Sequence, residues 1–444
     1  MSLAILEVWG GAGEHGRACY RIANGPVSVM LDCGGKRSGR GEYPLWKPEL
    51  VPQLTTVFLS HAHEDHTVGL PALYRMGYRG EIWTTRATAT RIASNFRMWK
   101  GYLAEQGSAA PYSAEEEELL RFRYLEDSAE EGEWFEAAPG VRACWGPSGH
   151  LAGSVWILLD IEGCRVFYSG DYTHESSLLR AELPKPEYCR NLSAAIVDAA
   201  YGARTESQAE MMAQLIGTIR QVSERGGHVF LPVPLHGRGL ELLALLREAL
   251  PDTRIVAEAS LLQGAAKIKE DEAWLHPSAI ERMNLALRGL QTSPFNEAPS
   301  GLAMSGAPAV IIGPDAQLQT EGAQACYRQL NRGENAVSNA IIFTGHVHSG
   351  SCASKIIARH EADPEHGHCS VYRIPYKVHQ GLPDVWRMLE HLNPRVLLPV
   401  HTDKEKTDRL VSELASRGYS GAHSLTPGQT LILTAEAEYE REYR

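Results

Sequence analysis

The sequence of 444 residues lacks paired cysteines, long apolar runs and an excess of positive charge. Its eight cysteines are scattered with no Cys-x-x-Cys pair, which argues against a zinc ribbon and against a disulfide scaffold. No stretch approaches the roughly 20 consecutive apolar residues that span a bilayer, and no basic segment precedes an apolar one at the N-terminus. We therefore expect a cytoplasmic protein with no membrane partner.

The charge balance gives no general attraction to nucleic acid. The formal net charge is −11, from 43 Lys and Arg against 54 Asp and Glu. A phosphate-rich substrate would therefore have to be drawn by local positive charge. The composition, 43% hydrophobic and 22% charged, is typical of a globular protein with a sizeable core.

The order of apolar and polar segments predicts an α/β fold. Up to about residue 198, apolar runs end in Gly, Asp or His clusters, as in VSVMLDCGG, LTTVFLSHAHEDH, CRVFYSGD and SAAIVDAAYG. Residues 84–136 between them are expected to be helical, with Ser113 capping a helix that begins in four glutamates. From about residue 202 to 365 the pattern changes to alternating helices and strands. A second α/β domain is therefore predicted. The absence of a low-complexity linker and the ligand-like His401 near the end of the chain indicate that this domain is inserted into the first.

The densest cluster of metal-ligand side chains follows the apolar run LTTVFL. His61, His63, Asp65 and His66 lie within six residues in a predicted strand-to-helix turn. Such a turn lets His61 and His63 face one ion while Asp65 and His66 face a neighbouring one. Imidazole nitrogens and carboxylate oxygens are ligands that zinc accepts. We expect two adjacent metal ions here.

Two ions need more ligands than this cluster supplies, and two later strand ends offer them. His150 in GPSGHLAGS follows a β-run and lies among small residues, which suits a third nitrogen for the first ion. Asp171 in VFYSGDYT ends another apolar strand and is a candidate carboxylate bridging both ions. Each alone has an ordinary structural explanation, but they reinforce each other beside the first cluster.

Four segments resemble, in order, the first four motifs of the metallo-β-lactamase superfamily. They are MLDCGG with Asp32, the HAHEDH run, SGH with His150 and SGD with Asp171. The resemblance covers the whole first domain. It implies a four-layer αββα fold with the metals at one edge of two sheets. It also implies that Asp32 is no ligand but supports the site by hydrogen bonds to ligand groups.

The rest of the chain resembles the β-CASP nucleases within that superfamily, to which mRNA 3′-end processing endonucleases and ribonucleases J belong. The matches are GGAGEHGRACY, LPVPLHGRGLELLALL, IIFTGHVHSGS and YKVHQGLPDVWRMLEHLNPRVLLPVHTD. This resemblance implies special roles for Asp198 and His379 and makes His401 a ligand of the second metal. We predict a metallo-β-lactamase domain over 1–201, an inserted β-CASP domain over 202–368 and a closing part over 369–444.

Substrate contacts are predicted in the inserted domain. Arg238 opens a helix at a strand end, where its guanidinium is suited to a substrate phosphate. The segment Thr344–Ser351 supplies the other candidates, which are His346, His348, Ser349, Gly350 and Ser351.

These motifs predict a hydrolase with two Zn²⁺ per chain that cleaves phosphodiester bonds of single-stranded RNA, endonucleolytically or 5′ to 3′. A metal-activated hydroxide is the expected nucleophile, and the catalytic residues are Asp65, Asp198 and His379. The segment Asp198–Gly202 and the segment around His379 both depart from the family pattern. DNA, or a small ester, thioester or amide, therefore stays open as the alternative substrate, and a homodimer stays open beside a monomer.

Overall fold

The computed structural model describes residues 3–234, 237–293, 306–332, 334–348, 350–363 and 368–434. The chain groups into two compact units. Unit 1 comprises Met1–His174, Arg180–Thr205 and His379–Arg444, and unit 2 comprises Glu175–Leu179 and Glu206–Val378. Within the described residues, no helix combines the length and the apolar character needed to cross a bilayer.

The strands are numbered along the chain. They are β1 (Leu3–Gly10), β2 (Cys19–Asn24), β3 (Val27–Leu31), β4 (Thr56–Phe58), β5 (Ile82–Thr84), β6 (Phe122–Tyr124), β7 (Phe135–Ala138), β8 (Val141–Pro147), β9 (Val155–Ile161), β10 (Cys164–Tyr168), β11 (Ala194–Asp198), β12 (Val229–Val233), β13 (Arg254–Glu258), β14 (Gln291–Ser293), β15 (Ala309–Pro314), β16 (Ala340–Phe343), β17 (Ser370–Arg373), β18 (Val396–Val400) and β19 (Thr430–Thr434).

The helices are numbered in the same way. They are α1 (Glu64–Thr67), α2 (Leu70–Arg75), α3 (Arg86–Glu105), α4 (Ala114–Glu118), α5 (Gln208–Glu224), α6 (Arg238–Ala249), α7 (Ala259–Ala266), α8 (Ala279–Leu287), α9 (Glu321–Leu330), α10 (Cys352–Ala362), α11 (Leu382–Leu392) and α12 (Lys404–Ser416).

Unit 1 contains two mixed sheets. The first has the order β19-β1-β2-β3-β4-β5-β6, and the second has the order β18-β11-β10-β9-β8-β7. The rings of Tyr20 on β2 and Tyr168 on β10 lie 5.6 Å apart, so side chains of the two sheets meet between them. Strands β3 to β6 and strands β10, β11 and β18 pair in parallel, which aligns the carboxyl ends of each set along one edge of its sheet.

Helices cover the outer face of each sheet in unit 1. Leu73 of α2 and Trp99 of α3 pack with β4 residues such as Val57 in one core. On the second sheet, Val385 of α11 and Leu410 of α12 belong to a core that also contains strand residues. Each fully buried leucine in these cores contributes about 1.5–3 kcal/mol. The layer order is therefore helix, sheet, sheet, helix, which confirms the predicted αββα class.

The prediction of a helical segment over residues 84–136 is only partly correct. Helices α3 and α4 lie there, and Ser113 caps α4 with a capping box as expected. However, Phe122–Tyr124 pairs in parallel with β5, and Phe135–Ala138 pairs antiparallel with β8. These short strands are wrongly predicted as helix because their pairing partners are distant in sequence, so local helix propensity does not decide their structure.

Unit 2 contains a parallel sheet with the order β14-β13-β15-β12-β16-β17. Helices α5 to α10 belong to this unit. Strand β17 pairs with β16, so residues 370–373 belong to this sheet rather than to the closing segment 369–444 where the sequence analysis assigned them. The division into two functional domains itself stays a prediction.

A five-residue strap, Glu175–Leu179, belongs to unit 2 although the chain on both sides of it lies in unit 1. Its anchor is Glu241 of α6, which is only 3% exposed. The carboxylate accepts hydrogen bonds from Ser176 Oγ (2.8 Å), Ser177 N (2.7 Å) and Tyr376 Oη (2.5 Å). Donors from two distant segments thus satisfy one buried charge.

Candidate metal centre

The HAHEDH run forms a tight turn between β4 and α1. His63 has an extended backbone and is the N-cap of α1, so the chain turns between His61 and the helix that carries Asp65 and His66. His61 and His66 are buried, whereas the side chain of His63 is exposed. One short turn therefore presents four potential ligands at the carboxyl end of β4.

Glycines place His150 and Asp171 at the same edge. Gly149 (φ +75°) and Gly170 (φ +54°) precede them in the left-handed region, which residues with a side chain rarely adopt. A Cβ atom at Gly149 would lie 2.1 Å from the carbonyl oxygen of Thr173, and one at Gly170 would lie 2.8 Å from Ser60 Cβ. The two Ser-Gly pairs of the sequence thus create sharp turns that only glycine fits.

Asp32 and His401 adopt positive φ values of 57° and 67° where their strands end. For residues other than glycine this conformation is uncommon and is found most often at functional sites. Asp32 is fully buried and accepts hydrogen bonds from Ser60 N (2.7 Å), Ser60 Oγ (2.7 Å), His66 Nδ1 (2.6 Å) and Tyr168 Oη. It therefore holds the ring of His66 in one orientation. The sequence did not indicate the two other partners, Ser60 and Tyr168.

One set of donors comprises His61, His63, His150 and Asp171. His63 Nδ1 lies 3.2 Å from His61 Nε2 and 3.1 Å from His150 Nε2. Asp171 Oδ2 lies 3.4 Å from His61 Nε2 and 3.5 Å from His150 Nε2. Ligands 2.0–2.1 Å from a tetrahedral zinc ion are about 3.3 Å from one another, so these separations suit one such ion.

A second set surrounds the other side of Asp171. His66, Asp171 and His401 form one group of donors, and Asp65 joins His401 in another. His66 Nε2 lies 3.3 Å from Asp171 Oδ1 and 3.8 Å from Asp65 Oδ2, while His401 Nε2 lies 3.6 Å from Asp171 Oδ2. Asp171 is thus the carboxylate that faces both sets. The second set is the wider one, because its donor atoms are 3.3–3.8 Å apart, against 3.1–3.5 Å in the first set.

Two buried atoms support a cation at this place. Within the described residues, neither His66 Nε2 nor Asp171 Oδ2 has a hydrogen-bond partner, although both are buried. Burial opposes ionisation of Asp171, but the surrounding imidazoles hold the pKa of its carboxyl well below the usual range. Burial lowers the pKa of His150 and of His401 well below the usual value, whereas at His66 burial is outweighed by the carboxylates of Asp171, Asp65 and Asp32, which raise the pKa well above it. An ionised carboxylate and neutral imidazoles are the forms that bind metal ions.

Asp198 and His379 form a pair beside these donors. His379 Nδ1 donates to Asp198 Oδ2 at 2.9 Å, and Asp198 is fully buried at the end of β11. Burial lowers the pKa of His379, but the carboxylate of Asp198 outweighs this effect and raises it to about 9. Cations bound nearby would oppose that rise, because like charges disfavour the imidazolium. The ring of His379 lies 4.8 Å from that of His150 and 4.9 Å from that of His401.

The predicted substrate-binding residues lie in unit 2. Arg238 begins α6, and a Cβ atom at Gly345 would lie 2.1 Å from one of its guanidinium nitrogens, so the guanidinium packs on the segment that carries His346 and His348. Both histidines are exposed, with ring centroids 5.2 Å apart.

The end of the same segment is Ser351, which precedes α10. Ser351 is buried and its hydroxyl accepts from Ser354 N as the N-cap of α10, so this hydroxyl holds a helix end instead of facing solvent. Gly350 is exposed, and Ser349 lies outside the described residues.

Sequence reasoning missed His15, which lies in the glycine-rich loop after β1. A ring nitrogen of His15, an oxygen of Asp65 and a ring nitrogen of His401 lie within 4.8 Å of one another. The sequence does contain a pattern that could have identified His15 as a candidate ligand. His15 is a histidine in a glycine-rich loop after a strand, which is the same pattern that identified His150.

The chain matches a family model over residues 28–233, described as a β-lactamase superfamily domain. A solved structure, the crystal structure of a protein of unknown function from Enterococcus faecalis, shares the fold with a TM-score of 0.58 and 13% identity. The similarity covers 98% of this chain and 100% of that one.

Several curated relatives have names that describe ribonucleases. A ribonuclease of Thermus thermophilus is 27% identical over 92% of this chain and 96% of its own length. An RNase J-like protein of Methanocaldococcus jannaschii is 26% identical over 80% of each chain. The endoribonuclease YSH1 of Gibberella zeae is 29% identical over 54% of this chain, which spans only 29% of that longer protein.

Proposed function

From the premise that this chain contains a β-lactamase superfamily domain, we propose that it is a two-zinc nuclease that hydrolyses phosphodiester bonds of single-stranded RNA. The names of its relatives in Thermus and Methanocaldococcus support a ribonuclease. The observation that carries the proposal is the position of Asp171, whose carboxylate faces two sets of donors at once. A single-metal site would not need such a carboxylate.

The metal ligands we propose are His61, His63, His150 and Asp171 for one zinc ion and Asp65, His66, Asp171 and His401 for the other. When bound, two such ions acidify a water molecule and offset the charge that develops on the phosphoryl oxygens. The ligands contribute only two negative charges, from Asp65 and Asp171, so the loaded centre stays positive although the net charge of the chain is −11.

His379 is the proposed proton donor to the departing sugar oxygen. Its Nδ1 is bound to Asp198, which leaves Nε2 as the nitrogen that meets the substrate. Asp198 orients the ring and stabilises its protonated form. Asp65 is proposed as a further catalytic residue. Its side chain is only half-buried, so its carboxylate is suited to orient the attacking water.

Arg238, His346 and His348 are the proposed substrate contacts in unit 2, together with the neighbouring Ser349 and Gly350. The support is that the guanidinium of Arg238 lies against the segment bearing both exposed histidines. A planar guanidinium suits a phosphate group. We propose that Ser351 acts only by shaping this segment.

The central test is hydrolysis with and without metal. Purified protein is incubated with end-labelled single-stranded RNA, the matching DNA and a chromogenic ester, before and after treatment with a zinc chelator. We expect cleavage of RNA, its loss on chelation and its return when Zn²⁺ is added, because no protein nucleophile is proposed. Elemental analysis should give two zinc ions per chain.

Each other outcome has a defined meaning. Cleavage of DNA but not RNA would show that the protein is a DNA nuclease. Turnover of the ester alone would show that it is a small-molecule hydrolase. Hydrolysis of RNA that persists after complete removal of metal contradicts the proposed chemistry altogether.

Asp32→Asn tests the support of the metal ligands. The amide replaces a carboxylate that accepts from His66 Nδ1 and Ser60, so at least one donor would face an amide NH₂. Loss of such a supporting group typically lowers metal affinity by about 10–100-fold. Competition with a chromophoric chelator measures this change.

Tyr168→Phe is the matched control for Asp32→Asn, because it removes a single hydrogen bond to the same carboxylate and leaves the charge in place. We expect a smaller loss of affinity in this control. Equal affinities of Asp32→Asn and wild type would show that Asp32 does not support the ligands.

A further inference from the structure

His15 lies next to the wider of the two donor sets. Its ring centroid is 4.4 Å from that of His401, at an interplanar angle of 61°. Asp65 lies in the same group of donors, whose atoms are within 4.8 Å of one another. Donors on opposite sides of one zinc ion are about 4.2 Å apart, so a small shift of the His15 side chain would be enough for all three donors to reach one ion. The side chain of His15 is exposed and therefore has room for such a shift.

The loop that carries His15 is anchored to the site. His401 N donates to Gly11 O at 2.9 Å, and Ala18 N donates to Asp65 O at 2.8 Å, so both ends of the loop contact proposed ligands through the backbone. Between these ends, the buried carboxylate of Glu14 accepts from Arg17 Nε at 2.6 Å and from Lys36 Nζ at 2.9 Å. The loop thus has little freedom to move His15 away from His401.

The hydrogen bonding of His15 also suits a ligand. Its Nδ1 lies 3.4 Å from the carbonyl oxygen of His401, to which it donates. Metal-binding histidines commonly donate one ring N–H to a backbone carbonyl or a carboxylate, which leaves the lone pair of the other nitrogen for the ion. The distance of 3.8 Å between His66 Nε2 and Asp65 Oδ2 in the second set is longer than the about 3.3 Å between neighbouring donors of a tetrahedral zinc ion, which leaves space for a further donor.

We propose that His15 is an additional nitrogen ligand of the zinc ion held by Asp65, His66, Asp171 and His401. This inference rests on the proposed two-zinc centre. It predicts that the second ion has one nitrogen ligand more than the HAHEDH, SGH, SGD and His401 motifs supply. Unlike the other donors of the second set, this ligand is exposed to solvent.

Metal binding by His15→Ala and His15→Gln tests the proposal. We expect the affinity of the second Zn²⁺ to fall by about 10–100-fold while the first is unchanged, as measured by competition with a chromophoric chelator. In the Co²⁺-loaded protein, loss of one ligand should strengthen the visible absorption, because Co²⁺ absorbs more strongly as its coordination number falls. Circular dichroism checks that both variants fold.

His360→Ala is the control, since it removes a histidine from α10 in unit 2 outside every donor group found among the described residues. Wild-type affinities and an unchanged Co²⁺ spectrum in both His15 variants would overturn the proposal while leaving the two-zinc centre in place. If the wild-type chain binds fewer than two ions, the proposed function fails first, and this inference fails with it.

Discussion

Asp171→Asn is expected to abolish nuclease activity and to reduce the zinc content to less than two ions per chain. The substitution preserves the shape of the side chain but removes the charge that faces both donor sets. It also replaces one of the two carboxylate oxygens by an NH₂ group. This group would face His66 if it replaces Oδ1, and His61 and His150 if it replaces Oδ2. Because a two-metal centre supplies several kcal/mol of transition-state stabilisation, we expect the rate of RNA cleavage to fall by about 10³-fold or more.

Asp160→Asn is a matched control for Asp171→Asn. Asp160 is the penultimate residue of β9, in the same sheet as the strand β10 that precedes Asp171, and it accepts from Gly163 N at 2.9 Å and from Arg165 Nε at 3.1 Å. The same chemical change at this position should leave two zinc ions and full activity. Two tightly bound ions in Asp171→Asn would contradict the bridging role of the carboxylate.

His379→Ala is expected to slow RNA cleavage by about 10²–10⁴-fold while both zinc ions remain bound. The reason is that His379 lies beside the ligands without belonging to either proposed set, and its proposed task is to protonate the departing oxygen. Single-turnover cleavage and elemental analysis of the same sample measure the two quantities. If the variant loses an ion, His379 is a ligand and its proposed role as proton donor is wrong.

The leaving group of the substrate separates proton donation from a structural effect at His379. A phosphodiester with a nitrophenolate leaving group needs little protonation, so its hydrolysis should be nearly insensitive to His379→Ala. Asp198→Asn should show the same selectivity to a smaller degree, because the ring keeps a hydrogen-bond partner. The double variant should be no slower than His379→Ala alone, since the two residues act as one unit.

The local parts of the site were predictable because each proposed ligand follows a strand in a short motif. Strong apolar runs predicted β3, β4, β10 and β11, and the polar residues directly after them, such as Asp171, come together because parallel strands end at one edge. The resemblance to a known superfamily added Asp32, Asp198, His379 and His401, which composition and spacing alone did not single out. Their roles stay predictions until the variants are measured.

The remaining features depend on contacts between residues far apart in sequence. His15 is 386 residues from His401, and no local pattern states that the two rings meet. The short strands β6 and β7 form because β5 and β8 offer hydrogen-bonding partners, not because of strong local propensity. The position of Ser351 as a helix cap likewise follows from where α10 begins.

The strap Glu175–Leu179 has a practical consequence for anyone who dissects this protein. A recombinant fragment covering Glu206–Val378 would appear from the chain order to contain the whole insertion, yet it would lack Ser176 and Ser177. The carboxylate of Glu241 would then keep Tyr376 as a partner but lose three hydrogen bonds donated by the two serines. Loss of hydrogen-bond donors to a buried carboxylate destabilises the folded state by several kcal/mol. A stable fragment of the insertion should therefore include these five residues.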